Sequence, residues 1–390
     1  MLNLNQVAQQ VTALGQHFYQ EAQARALKLQ LAGDYLAQAQ GQETEFSESL
    51  AAHENQLRFT PAWPATPLTE RVTIPPAPVQ HRVMATDGSQ IAPSHHEIAF
   101  CYLINVGRVR LDYGSNLYPL LDSVAEVFYT QAEVYAAQAW GITPAEWMRH
   151  KRTQLEILQL VELALADPVN LPTVLMLDGS LIHWAWESLP NAARQVLLEP
   201  ILQAWGRLET ARIPIVGYLS ASRSSETLNY LRLQACPYPL PHCQDHCPAP
   251  TRPPCQIFTG LQDPGLWETQ LSSGQRGPLW QSRARILEDY GQQRIFFCYF
   301  HVGSEVVRVE FPRWVVEDQT LLTQALSLTM AQVIKGYGYP VALAEAHNQA
   351  VIRSGDRARF FALLERELIK AGLKQVAPSP KERRKRQSIA

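Results

Sequence analysis

Asp-Gly-Ser occurs twice in this 390-residue chain, and each copy follows an apolar run. Arg82-Val83-Met84-Ala85-Thr86 leads into Asp87-Gly88-Ser89, and Val174-Leu175-Met176-Leu177 leads into Asp178-Gly179-Ser180. An acid at the exit of a buried strand is held on rigid backbone beside a crevice, and Gly-Ser then turns the chain with little bulk. If the two strands are neighbours, Asp87 and Asp178 become paired hard oxygen donors suited to Mg²⁺ or Mn²⁺. A metal held there can bind a phosphate oxygen and generate hydroxide from water, and two metals ~3.5–4 Å apart can clamp an in-line phosphoryl displacement. Each aspartate alone also reads as an ordinary turn residue, so the repetition at two strand exits carries the weight.

Glu162, on the helix just before the second strand, is the candidate third ligand; its competing reading is a plain surface glutamate. A second cluster comprises Tyr339-Pro340 and Glu345-Ala346-His347. If 340–347 is helical, His347 stands ~12 Å along the axis from Tyr339, so the two do not easily share one metal ion. His347 can ligate metal or hold the scissile phosphate. Tyr339 can stack on a base or bond a phosphate.

Cys236, Cys243, Cys247 and Cys255 share one Pro-rich segment with His242 and His246. Four soft ligands in such a stretch suggest a structural Zn²⁺ that replaces a missing core, with a loop of free thiols as the alternative. The spacings fit Cys-x2-Cys zinc patterns poorly and iron–sulfur patterns less well. Cys101 and Cys298 lie in apolar strand-like runs and read as core. His183-Trp184-Ala185-Trp186 reads as packing under a sheet, with base stacking as the alternative. Ser89 and Ser180 lack the Gly-x-Ser-x-Gly elbow of a serine nucleophile.

The elements expected to position these residues alternate. Residues 4–57 read as helical, broken or bent at Gly33. Six prolines over 61–80 predict an extended linker. Strands are expected at 82–86, 97–106 and 109–113, the last two joined by a tight turn at Gly107-Arg108. Helices are expected at 119–139 and 144–166, then a strand at 173–178, a helix at 190–210, a strand at 213–219 and a helix at 224–233. Residues 236–282 read as an irregular insertion. Strands follow at 294–300 and 305–311, then helices at 318–335 and from 340 towards 371, the last interrupted near Ser354-Gly355-Asp356. That order predicts a mixed α/β sheet flanked by helices.

A 46% hydrophobic chain of this length can bury a large core. A net charge of −2 gives no whole-chain signal for nucleic acid, so charge is local, in the basic run Lys381 to Arg386. That tail reads as solvated and disordered, or as an electrostatic tether. No apolar stretch reaches membrane-spanning length and the first residues lack a leader pattern, so a soluble, cytoplasmic protein is expected.

The ordered set of motifs resembles the NurA family of DNA-end-processing nucleases. Asp87-Gly88-Ser89, Leu177-Asp178-Gly179-Ser180-Leu181, Arg308-Val309-Glu310-Phe311-Pro312, and Tyr339-Pro340 before Glu345-Ala346-His347 carry it over roughly residues 80–360. The resemblance implies an RNase H-like core that binds Mn²⁺, or Mg²⁺ in its place. It implies degradation of DNA from 5′ ends and cutting of single strands during double-strand break repair. It also implies a homodimer beside a HerA-type hexameric translocase. By it, Asp87, Asp178 and His347 carry over as active-site residues, Tyr339 does so with Tyr337 as a competitor, and Glu162 by approximate position. Leu219-Ser220-Ala221-Ser222 departs from the family's basic stretch and leaves only Arg223 to grip phosphate there. The expected organisation is a helical N-terminal extension (1–60), the linker (61–80), a nuclease domain (81–375, insertion 236–282) and the basic tail (376–390). A non-catalytic scaffold that keeps the fold, and a phosphatase for small phosphoesters, are the alternatives.

Overall fold

The computed structural model describes residues 3–44, 46–47, 54–238, 241–248 and 252–373. The expected tail at 376–390 lies outside the described residues. The described strands are β1 (Ala62–Pro64), β2 (Val72–Thr73), β3 (His81–Ile91), β4 (Tyr102–Tyr113), β5 (Leu120–Phe128), β6 (Thr173–Asp178), β7 (Ile215–Leu219), β8 (Gln275–Arg276), β9 (Trp280–Ser282), β10 (Ile295–His301) and β11 (Val306–Pro312). The chain divides into two compact units, one of residues 1–74 and 218–313, the other of 75–217 and 314–390. The first unit therefore joins the N-terminal helix to the segment expected as an insertion and to β10 and β11.

In that first unit the strand order is β1-β9-β10-β11, with β8 pairing β10 and β2. The helix Leu4–Ala39 runs unbroken through Gly33. Glycine costs a helix only about 1 kcal/mol, which packing of the helix offsets, and the break comes instead at Gly41 with φ +82°. The prolines of 61–80 do not make a free linker: β1 and β2 lie among them, and Ala62, Trp63 and Leu68 are buried in the core. Beyond residue 260 the expected insertion is ordered structure, because Leu261, Leu266, Trp267, Leu271 and Trp280 enter that core beside Tyr230, Phe297 and Tyr299.

Arg308 and Glu310 alternate onto one face of β11 and are fully buried. Arg308 bonds Glu310 Oε1 at 2.7 Å and also Glu226, and it stacks on Phe297 at 3.6 Å. A buried ion pair of this kind is costly to break, because each partner removed leaves an unpaired charge. Arg308→Met is expected to destabilise the protein by about 3–5 kcal/mol, read as a lower urea midpoint with an unchanged slope.

The second unit holds β3 to β6 and the first residues of β7, in the order β7-β6-β3-β4-β5. β3 pairs β6 in parallel and β4 antiparallel, and β4 pairs β5 antiparallel. The sheet is thus mixed, as expected, and the helices Pro144–Ala166, Asn191–Ala211, Gln319–Lys335, Val341–Ala350 and Ser354–Lys370 accompany it. The helix at 144 starts on Thr143, whose hydroxyl accepts from Glu146 N, with Pro144 in the first turn.

Three expectations fail in this unit. Residues 120–128 form a strand rather than the start of a helix. Their exposure alternates along most of the segment, and they pair with β4 over its whole length. Gly107 is no turn, since β4 passes straight through it. An added Cβ there would sit 2.4 Å from Ala346 O and Ala350 N, so glycine is needed for the helix Val341–Ala350 to lie against the strand. Asp87-Gly88-Ser89 is likewise mid-strand, paired residue by residue with Gly107, Val106 and Asn105. Only the second copy leaves its strand at once, with Gly179 at φ +124°.

Candidate active site

The alternation of β3 divides its residues between two helices. Thr86 and Gly88 face the helix Pro144–Ala166, where the Thr86 hydroxyl donates to Glu156 O at 2.8 Å. A Cβ on Gly88 would stand 2.3 Å from Glu156 Oε1 and 2.8 Å from Arg152 Cγ. Gly88 therefore serves the approach of Glu156 rather than a turn. Asp87 and Ser89 face the helix Val341–Ala350 instead. The Ser89 hydroxyl donates to Ala350 O, and Asn105 Nδ2 donates to the same carbonyl at 2.8 Å. This satisfies a carbonyl at the helix end and fixes the helix on the sheet.

That helix is lined by Ala342, Leu343, Ala346 and Ala350, and its closest approach is over Gly107, the register partner of Asp87. The next side chain after Ala346 is His347, and its Nδ1 lies 2.7 Å from Asp87 Oδ2. The other oxygen, Asp87 Oδ1, accepts from Gly88 N at 2.8 Å. His347 is otherwise 67% exposed.

Asp178 is the last residue of β6, one step beyond the parallel pair Thr86↔Leu177. It therefore stands beside Asp87 on the neighbouring strand, at the ~4.8 Å spacing of paired strands across the sheet. Partial desolvation pushes its pKa above the ordinary aspartate range, and nearby Asp87 adds to this. A hydrogen bond from Tyr339 and the proximity of His347 oppose it. The structure also separates the two tyrosines. Tyr337 is fully exposed at φ +55°, whereas Tyr339, past Gly338, reaches Asp178. In the turn between them Gly338 N donates to Val333 O at 3.0 Å, and Gln332 Oε1 accepts from Ala342 N at 3.0 Å in the helix that follows.

The third carboxylate is not Glu162. Glu162 is 59% exposed and pairs with Arg207 at 2.5 Å on the helix Asn191–Ala211. Six residues along a helix place its side chain on a different face from Glu156. Glu156 is only 17% exposed, and its Oε1 is buried without an aligned hydrogen-bond donor. Arg152 Nε lies 3.1 Å from that oxygen, off the hydrogen-bond axis. The Glu156 pKa is raised to about 7, first by burial and then by Asp87 and Asp178, with the charge of Arg152 and a backbone hydrogen bond from Gly88 opposing. The sequence did carry a signal for this residue. Leu160 and Leu163, four and seven positions on, are both buried, so Glu156 continues an apolar stripe.

Three carboxylates from two strands and a helix thus share one electrostatic neighbourhood, with one of them buried and two pKa values pushed upward. A divalent cation would relieve each of these features, and the donor set is entirely hard oxygen. Among the described residues, no group of three His, Cys, Asp or Glu side chains is already drawn into metal-holding geometry. Asp87 and Asp178 instead direct their oxygens to His347 and Tyr339.

The remaining candidates lie elsewhere. Arg223 is exposed in the first unit, between β7 and the helix Glu226–Gln234. Trp186 is buried, with its indole N–H on His150 Nδ1 at 3.0 Å, and His183 stacks on it at 4.1 Å. Complete burial pushes the His183 pKa down to about 3, so the ring is neutral packing. Among the described residues no helix is long and apolar enough to cross a membrane.

The fold and the motifs have relatives. The crystal structure of the NurA nuclease from Sulfolobus solfataricus aligns with a TM-score of 0.51 and 14% identity, over 95% of this chain and 98% of that one. The catalytic domain of human Endonuclease V aligns at 0.30 and 13%, over 73% and 84% of the two chains. LC9-RNase H1, a type 1 RNase H, aligns at 0.24 and 9%, over 41% and 72%. No curated protein sequence matches the chain. The mixed sheet and its flanking helices thus share their fold with the NurA nuclease. The NurA domain model matches residues 81–352, which contain every residue of the carboxylate site, and the chain therefore belongs to the NurA domain family.

Proposed function

We propose that the protein is a divalent-metal-dependent nuclease that hydrolyses DNA phosphodiesters at Asp87, Glu156 and Asp178. The convergence of these three carboxylates beside His347 and Tyr339 carries the reading, and membership of the NurA family supports it. Asp87, Glu156 and Asp178 would hold Mn²⁺ or Mg²⁺, which supplies Lewis-acid stabilisation of phosphate charge and a more acidic water.

The side chains divide the remaining work. Tyr339 holds the Asp178 carboxylate through its hydroxyl. His347 Nδ1 pairs with Asp87 Oδ2, which leaves Nε2 of an exposed ring to take a proton from the attacking water as the neutral imidazole, or to donate to a phosphate or leaving oxygen as the imidazolium. Gly88 keeps the space that Glu156 occupies. The family reading further assigns 5′ to 3′ exonuclease and single-strand endonuclease action in double-strand break repair, in the cytoplasm. It also assigns a homodimer and a HerA-type hexameric translocase as partner, with Arg223 as a phosphate contact.

Purified protein with Mn²⁺ is expected to degrade single-stranded DNA and to leave mononucleotides intact. A protein inert towards every DNA form with every divalent ion would sink the proposal. Gly88→Ala tests the placement of Glu156. Its methyl displaces the flexible end of Glu156, so activity should fall by about 10²-fold. The thermal midpoint should move by only a few degrees in differential scanning calorimetry.

A further inference from the structure

The four cysteines of 236–255 share a surrounding that the carboxylate site does not use. From Cys236 to Ile257, the buried residues among those described are Pro241, Cys243, Cys247 and Cys255. The two ends of the segment are fixed, since Leu233 and Phe258 belong to the unit's core. Among the described residues between them, the interior consists of one proline and three thiols, which is little apolar surface for ordering such a stretch. All four cysteines are free, and together with His242 and His246 they line one small cavity of about 10 Å³. That is room for a single water-sized particle.

The charge around the cavity points the same way. Arg232 Nε donates to Cys255 Sγ at 3.2 Å, and Arg58 Nη1 donates to Cys247 O at 2.9 Å. Arg232 also lies over the Phe59 ring at 3.9 Å, so both guanidiniums are held at the rim of the cavity. There they would offset the charge of −2 that four thiolates around a divalent ion carry, as outer partners of a metal site do.

We propose that Cys236, Cys243, Cys247 and Cys255 form a tetrathiolate site for one Zn²⁺ that holds this segment together. The four sulfurs are not drawn up to coordinating distance. Because they already line one cavity, rotation of the side chains onto an ion with Zn–S of about 2.3 Å closes the site. Binding releases the thiol protons and leaves four thiolates on the metal, with no redox change. The single-ion cavity favours Zn²⁺ over an iron–sulfur cluster.

The test uses the full chain purified without chelator. Elemental analysis is expected to give one zinc per chain, released in step with titration of the thiols by a mercurial. Exchange with Co²⁺ should give intense thiolate-to-cobalt charge-transfer absorption, which reads the ligands in the wild-type protein without any variant. Cys243→Ser with Cys247→Ser should lose the zinc, while Cys101→Ser, a core thiol outside the segment, should keep it. A chain that binds neither Zn²⁺ nor Co²⁺, or zinc retained by the double variant, would overturn the site. Iron with acid-labile sulfide would overturn the zinc assignment in favour of a cluster.

Discussion

Glu156→Gln is expected to leave the metal-free protein more stable than wild type at pH 8 while abolishing its nuclease activity. The folded-state pKa of Glu156 is raised from 4.5 to about 7. Between those values the folded protein binds more protons than the unfolded chain, so its stability falls as pH rises through that interval. Above pH 7 the burial of an ionised Glu156 costs about 3 kcal/mol, from about 1.4 kcal/mol per pKa unit. Removing the charge should recover up to about 3 kcal/mol at pH 8 and almost nothing at pH 4. Urea unfolding at the two pH values, in chelator, gives both numbers. Added Mn²⁺ should stabilise the wild type and not the variant, because binding to the folded state alone raises its stability. Equal stability of the two proteins at pH 8 would show that Glu156 carries no charge penalty for a metal to relieve. Natural sites hold such destabilising groups because the chemistry needs them.

Asp87→Asn should reduce DNA hydrolysis by at least about 10³-fold, with the fold intact. Asp87 stands at the meeting point of β3, β6 and the helix that carries His347, so one substitution weakens two functions. It takes the negative charge and one oxygen from the proposed metal donors, and it alters the acceptor that orients the His347 ring at 2.7 Å. Loss of a single preorganised electrostatic group costs about 3–4 kcal/mol in the transition state, and this position combines two. Single-turnover cleavage of a labelled single strand across a Mn²⁺ series reads the effect. Rescue at high Mn²⁺ would indicate weakened metal binding, and a flat loss would indicate that orientation of His347 matters as much. Full activity in Asp87→Asn would remove the carboxylates from the chemistry.

The two aspartates were legible because an acid after an apolar run is a local pattern. Their adjacency was not, since it depends on β3 and β6 pairing in parallel across the 81 residues between Ile91 and Thr173. The acid on the preceding helix was legible in kind but not in identity. Glu156 and Glu162 occupy one helix, and only the face turned to Gly88 decides between them. Gly88 and Gly107 were legible as special residues and misread as turns. Their need for glycine comes from helices that pack on them, which a local pattern does not contain. The strand at 120–128 mixes Asp122, Ser123 and Glu126 with apolar residues, a pattern that suits a surface helix and equally a solvent-facing sheet edge. Tyr337 and Tyr339 differ only in what the turn between them does, and Gly338 at φ +119° makes that turn.

The most direct measurement is the anomalous difference density of a crystal soaked in Mn²⁺ at pH 8. The expected density is a peak in contact with Asp87, Glu156 and Asp178, absent from a crystal of Asp87→Asn soaked in the same way. Manganese bound elsewhere with these carboxylates bare, or a peak that survives in the variant, would contradict a metal centre built on the three acids.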